Sequence, residues 1–114
     1  MHFTMSDTLD DIEKRWRKGV LPFAVIAVLG KGPVHGYGLA LALRDVLGAA
    51  IPEGTLYPLL NGLERDGLAV AEWTIQESGP ARKIYALTPA GRDVLGEAAA
   101  RWGAFNQNLG KLIP

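Results

Sequence analysis

The chain has 114 residues, enough for one domain with one modest core, and 48% of them are hydrophobic, which excludes a disordered chain. It has no cysteine, which excludes disulfides and thiolate metal sites, and no apolar run of about 18 residues, which excludes a helical membrane span. Its 12 basic and 12 acidic side chains sum to zero net charge, which removes the bulk attraction that strongly basic proteins have for nucleic acid.

The first eleven residues, MHFTMSDTLDD, lack the basic stretch that precedes a secretory signal, so a cytoplasmic location is expected. Ser6 to Lys18 reads as a helix, with Ser6 or Asp7 placed to cap it and acidic side chains in its first turns. Leu9, Ile12, Trp16 and Phe23 fall on one side at near-helical spacing. Gly19 is expected to bend the chain before a second apolar segment, Val20 to Leu29, which contains Pro22 and ends at Gly30 and Gly32-Pro33.

A helix is expected from His35 to Leu47, with Leu39, Leu43, Val46 and Leu47 as its buried stripe and Gly48 as its stop. After Ala49-Ala50-Ile51, Pro52 fixes the entry into another helix, Glu53 to Asp66. In that helix Leu56, Leu59, Leu60 and Leu63 recur at i, i+3, i+4 and i+7 and make a core-facing stripe. The opposite side presents Thr55, Pro58, Asn61, Gly62 and Arg65, which are small, polar or cationic and suit close approach to a duplex. Gly67 is a candidate C-cap.

Ala69 to Gln76 alternates as a strand, with Ala71, Trp73 and Ile75 on one face and Trp73 read as core packing. The turn Glu77 to Ala81 leads into a second strand, Arg82 to Leu87. Thr88 and Pro89 then form an N-cap and first helical residue for a last helix reaching about Lys111. Leu95, Ala98, Trp102, Phe105, Leu109 and Leu112 follow a 3–4 alternation, the pattern of a helix–helix seam. Gly96, Gly103 and Gly110 recur beside it. They mark either the close approach of a neighbouring backbone or ligand, or chance in a glycine-rich chain.

The expected fold is therefore mainly α with a small β-hairpin (α+β). It is a winged helix-turn-helix over residues 19–87, preceded by an N-terminal helix (1–18) and followed by a C-terminal one (88–114), both assigned to dimerisation. Basic residues are locally concentrated. Gly79 to Arg92 holds Arg82, Lys83 and Arg92 with no acidic residue, and Lys14, Arg15, Arg17 and Lys18 form a second cluster.

Thr55 and Tyr57 hydroxyls suit phosphate contacts, whereas Asn61 suits adenine and Arg65 guanine at base edges. The competing reading is a solvated helix face, with Arg65 paired to Glu64 or Asp66 and Tyr57 at the rim of the core. His35 and Tyr37 open a helix whose N-terminus favours phosphate, with plain packing as the alternative for Tyr37. Arg82 and Lys83 suit phosphates near the minor groove, or else a solvated strand edge. Trp16 and Trp102, with Phe105, are candidates to flank a pocket for a planar ligand across a dimer axis, or simply to fill a dimer core. Leu9, Ile12, Leu95, Ala98, Leu109 and Leu112 complete the candidate dimer surface.

Neither a metal nor a cofactor is expected, since His35 has only His2 as a fellow histidine. Asp45, Glu53 and Glu64 are scattered without a histidine partner, so no enzyme activity is expected.

Four ordered segments carry a family resemblance: GVL at Gly19 to Leu21, GPVHGYGLALAL at Gly32 to Leu43, EGTLYPLLNGLERDGL at Glu53 to Leu68, and GPARKIYALTPAGRDVL at Gly79 to Leu95. Across roughly residues 18–96 the chain resembles the PadR family of bacterial transcriptional regulators, most of all its short members with a single C-terminal helix. The resemblance implies a homodimeric winged-helix repressor joined through its terminal helices and bound to a pseudo-palindromic operator. It implies DNA contacts from the helix bearing Gly54, Thr55, Tyr57 and Pro58, and from the wing. It also implies control by a small aromatic or drug-like effector, which some relatives use to release DNA. Two positions depart from the pattern. Gly38 stands where an acidic or polar residue is frequent, and Pro52 replaces a serine that would cap the third helix. A winged-helix protein-interaction module that does not bind DNA is the alternative that the neutral charge suggests.

Overall fold

The computed structural model describes residues 4–114. His2, considered above beside His35, and the first three residues of the N-terminal segment lie outside the described residues. The elements are α1 (Met5–Leu29), β1 (Val34–His35), α2 (Gly36–Leu47), α3 (Glu53–Arg65), β2 (Ala69–Thr74), β3 (Arg82–Leu87) and α4 (Pro89–Gly110).

α1 is one helix of 25 residues, not two segments bent at Gly19. The leucine, isoleucine and valine side chains after Gly19 are gripped by the core, and helical hydrogen bonding continues back through the glycine. Pro22 is tolerated inside it. The N-cap is Thr4, not Ser6 or Asp7. Thr4 Oγ1 accepts the Asp7 amide at 3.0 Å, and Asp7 Oδ2 accepts the Thr4 amide at 3.3 Å, a reciprocal capping box.

Leu21, Val25, Ile26 and Leu29 of α1, Leu39 and Leu43 of α2, and Leu56, Leu60 and Leu63 of α3 form one core, closed by Ala69, Tyr85 and Leu87 from the hairpin. Leu59 and Leu47 pack at its edge. Val46 is 73% exposed while its neighbour Leu47 still packs on the core, because Val46 falls at the margin of the Leu39, Leu43 and Leu47 stripe. Gly48 ends α2 at φ +76°. Gly67, at φ +74°, ends α3 with Gly67 N–H bonded to Glu64 C=O and Leu68 N–H to Leu63 C=O, a Schellman arrangement.

The sheet has three strands in the order β1-β3-β2, all antiparallel. β1 was not anticipated: two residues, pairing Val34 with Tyr85 and His35 with Ile84, are too short for a periodic signal. In the hairpin Ala69 lies opposite Leu87, Ala71 opposite Tyr85 and Trp73 opposite Lys83, so these pairs share the core-side face. The hairpin outgrows the helices beneath it, and Trp73 is 70% exposed instead of packed in the core.

α4 is fastened at its first turn. Thr88 Oγ1 accepts the Gly91 amide at 3.1 Å and donates to Gly67 C=O at 2.6 Å, while Thr88 N–H bonds Leu68 C=O at 3.1 Å. Gly91 is buried there, and a Cβ at that position would overlap the Leu68 carbonyl oxygen. Leu95 packs on the core and Trp102 meets Phe23 of α1 at 6.0 Å between ring centres. Beyond that, Phe105, Leu109 and Leu112 project into solvent. Gly96, Gly103 and Gly110 have open space where a Cβ would stand, so nothing among the described residues approaches them closely. The radius of gyration, 16.6 Å, exceeds the roughly 13 Å of a compact chain this long, as two projecting helices require.

Gly91→Ala is expected to cost about 1–3 kcal/mol, since α4 must move off a backbone oxygen that no rotamer change can displace. Urea denaturation checks this; an unchanged midpoint would show that the α4 anchor yields freely.

Candidate nucleic-acid interface

With Leu56, Leu60 and Leu63 turned to the core, α3 directs Thr55, Tyr57, Pro58, Asn61 and Arg65 outward. Gly54 is exposed on its first turn and has open space around it. Pro52, the N-cap, supplies no side-chain cap; its carbonyl accepts the Thr55 and Leu56 amides at 2.9 and 3.0 Å. Pro58 lies inside the helix, in its second turn, where the missing N–H leaves the Gly54 carbonyl without its i+4 amide partner.

Between α3, the start of α2 and the inner face of the wing runs an open groove of about 480 Å³. His35 lines it from β1, Gly36 and Tyr37 from α2, Tyr57 and Asn61 from α3, and Trp73, Arg82, Lys83 and Tyr85 from the wing. Six of the ten residues expected at the interface thus converge on one groove, while Gly54, Thr55, Pro58 and Arg65 lie on α3 outside its lining. Trp73 and Tyr85 were not expected here. The alternation of β2 set Trp73 on the core side, and only the reach of the hairpin turns that side into a groove wall.

Close packing shapes the groove. Tyr57 Oη would lie 2.9 Å from a Cβ on Gly36, so glycine is what lets α2 and the tyrosine meet. A Cβ on Gly38 would press on the Val34 and His35 side chains at 3.0 and 3.1 Å. The His35 and Tyr37 rings lie 6.4 Å apart, tilted by 39°. His35 is the N-cap of α2 without a capping side-chain bond.

The cations differ in their engagement. Arg65 touches Asp66 at 3.5 Å with both side chains largely in solvent, a contact of little energy that leaves the guanidinium available. Arg82 is exposed and forms no ion pair among the described residues. Lys83 is different. Its Nζ lies 3.3 Å from Glu64 Oε1 and 5.3 Å from the centre of the Tyr85 ring. Distance, not hydrogen-bond alignment, defines the pair: Oε1 is shielded from water and accepts no directed hydrogen bond. The Glu64 carboxylate, with Tyr85 adding, holds the Lys83 ammonium above its ordinary pKa, against a smaller opposing effect of burial. Burial pushes the Tyr85 phenol up, against the pull of Lys83. Sequence reasoning saw Glu64 only as a scattered acid or a neighbour of Arg65.

On the other side of the chain, Trp102 stacks near Phe105 at 6.1 Å and meets Phe23, whereas Trp16 stands 66% exposed farther up α1. Leu9 and Ile12 are also exposed on α1, and Ala98 is half-buried on α4. Among the described residues, no three histidine or carboxylate side chains cluster as a metal site would, and no helix is long and apolar enough to cross a membrane.

A leucine-centred core of helices, an outward-facing α3 and a flanking β-hairpin define a winged helix-turn-helix protein. Residues 25–97 match the transcriptional regulator PadR-like family, and the chain belongs to that family. It is 47% identical over 64 residues to a transcriptional regulator of Mycobacterium tuberculosis, a stretch that covers 56% of this chain and 58% of that protein. It is 31% identical over 78 residues to the negative transcriptional regulator PadR of Bacillus subtilis, covering 67% and 43%. The chain thus spans about half the length of these two curated relatives. Among solved structures, a PadR family transcriptional regulator from Eggerthella lenta superposes with a TM-score of 0.81 at 35% identity, covering 98% of this chain and 94% of that one. A PadR-like transcription factor from Bacteroides fragilis gives 0.73 at 34% identity, covering 90% and 98%. The family is one of regulators and not of enzymes, in line with the expectation from the scattered carboxylates.

Both raised pKa values make the folded chain hold protons past the pH at which the unfolded chain releases them. Their stabilising contribution is complete below the ordinary values, 10.5 for Lys83 and 10.0 for Tyr85, and is lost as pH rises through the folded values. Stability measured by urea midpoint is therefore expected to fall above about pH 10, and less steeply in Tyr85→Phe. Equal slopes in the two proteins would remove Tyr85 from the alkaline transition.

Proposed function

We propose that the chain is a homodimeric repressor that binds a pseudo-palindromic operator, each α3 entering a major groove and each wing resting on the adjoining backbone. The observation that carries this reading is the exposed polar face of α3 opening directly into a groove that the wing completes with an uncommitted Arg82. Thr55, Tyr57 and the start of α2 at His35 and Tyr37 suit phosphate, and Gly54 and Pro58 allow close approach of the backbone. Asn61 and Arg65 suit base edges. The two half-sites would be about one helical turn, ~34 Å, apart.

The dimer is supported by the uncovered apolar side chains of α1 and α4, from Leu9, Ile12 and Trp16 to Phe105, Leu109 and Leu112. Paired across a two-fold axis, the Trp102 and Phe105 rings would offer flat walls to a planar aromatic effector whose binding releases DNA.

The primary test is fluorescence anisotropy with duplex from the region upstream of the chain's own gene, against a scrambled duplex at moderate salt. Much tighter binding to the native duplex supports the reading. Equal weak binding to both would favour a winged-helix protein-interaction module, which the zero net charge already suggests.

Arg65→Ala is expected to cost about 1–3 kcal/mol and to relax base preference at one position per half-site. Arg82→Ala is expected to weaken all duplexes alike and to flatten the salt dependence by about 0.9 in log–log slope; a wild-type slope would take Arg82 off the phosphates. Phe105→Asp is expected to give monomers in sedimentation equilibrium and to abolish quenching of tryptophan emission by planar compounds. A dimeric Phe105→Asp protein would move the interface off α4.

A further inference from the structure

We propose that Glu64 sets the DNA affinity of this chain by sequestering the Lys83 ammonium on the wall of the groove, so that the wing offers duplex one free cation and not two. The inference rests on the reading that this groove receives DNA. Glu64 follows Tyr57 by seven residues and Asn61 by three, which puts all three on the side of α3 that faces the wing. Lys83 lies opposite Trp73 on the inner wing face, and its Nζ reaches to 3.3 Å from Glu64 Oε1.

This pair differs from the other contacts of the chain. Among the described residues the Arg15–Asp11 and Arg65–Asp66 side chains are 60–78% exposed and Glu13 of the Arg17–Glu13 pair is 58% exposed, whereas Lys83 and Glu64 are both sheltered, at 31% and 29%. The Lys83 ammonium is held from two directions, by the carboxylate and by the face of Tyr85. A carboxylate on a phosphate-facing wall repels DNA when alone. Paired, it cancels a cation that would otherwise attract every duplex equally.

Phosphate contacts position a protein without reading sequence. Withholding one therefore lowers binding to all duplexes and leaves Asn61 and Arg65 a larger share of the total. Glu64 acts through Lys83 and is a positioning residue with no base to read.

The test is a double-mutant cycle of Glu64→Gln and Lys83→Met in the full chain, with Kd for native and scrambled duplex measured from 50 to 200 mM salt. Glu64→Gln is expected to bind both duplexes more tightly with a slope steeper by about 0.9, a gain about three- to fourfold larger at 50 than at 200 mM. Lys83→Met is expected to bind more weakly with a shallower slope, and the double variant to return to wild-type Kd and slope. Glu64→Ala, which removes the charge without an amide, should repeat the signs of Glu64→Gln. A merely structural ion pair would shift melting temperature and leave the salt slope unmoved.

The proposal is overturned if Glu64→Gln and Glu64→Ala keep the wild-type slope, or if the double variant behaves as Lys83→Met. That second result would make Lys83 an independent phosphate contact. Failure of wild type and all variants to bind any duplex would instead overturn the DNA reading itself.

Discussion

The burial of three leucines from α3 in the core they share with α1, α2 and the hairpin governs the rest of the molecule. Leu56, Leu60 and Leu63 are each nearly or fully buried, in one cluster with Leu39, Leu43, Val25 and Leu29. A helix held this firmly by one stripe cannot rotate without exposing it, and each buried leucine is worth about 1.5–3 kcal/mol against exposure. The opposite stripe is therefore presented to solvent in one orientation only. The same core positions the wing, because Ala69, Tyr85 and Leu87 are built into it while the outer half of the hairpin projects. α3 and the wing are thus two parts of one rigid surface.

Much of that architecture was legible in the sequence because it depends on local chemistry. The spacing of the α3 leucines, the Thr88-Pro89 start of α4, and the left-handed glycines 48 and 67 are each decided within a few residues. What escaped depends on distance. Periodicity tells which face Trp73 occupies but not how far the covering element extends, and that face runs out of cover. The two-residue β1 exists only because β3 stands beside it. Gly19 looked like a joint, yet core contacts on one side and the Thr4–Asp7 box on the other keep the helix continuous through it. Of the site, the α3 face could be read directly. The Glu64–Lys83 pair could not, since it joins two elements across a turn and a strand.

Zero net charge also takes on a different meaning once the side chains are located. A neutral chain can still present positive charge where it matters if its acids lie elsewhere or are spent on particular cations. The acidic start of α1 is far along the sequence from the groove. Within the groove region Asp66 rests loosely on Arg65, while Glu64 holds Lys83 in a more sheltered pair. Net charge averages over such differences and so says little about the potential at one face.

The continuity of α1 has a mechanical consequence. At 1.5 Å per residue its 25 residues form a rod about 37 Å long. The last third of that rod, Leu21 to Leu29, is a wall of the core against which α2 packs. The first two thirds, with Leu9, Ile12 and Trp16, reach away from it into solvent. A torque applied at the free end has no joint in which to dissipate and arrives at the core as a tilt. Whatever grips the outer part of α1 therefore holds the handle of a lever whose short arm bears on α2 and, through the shared core, on α3.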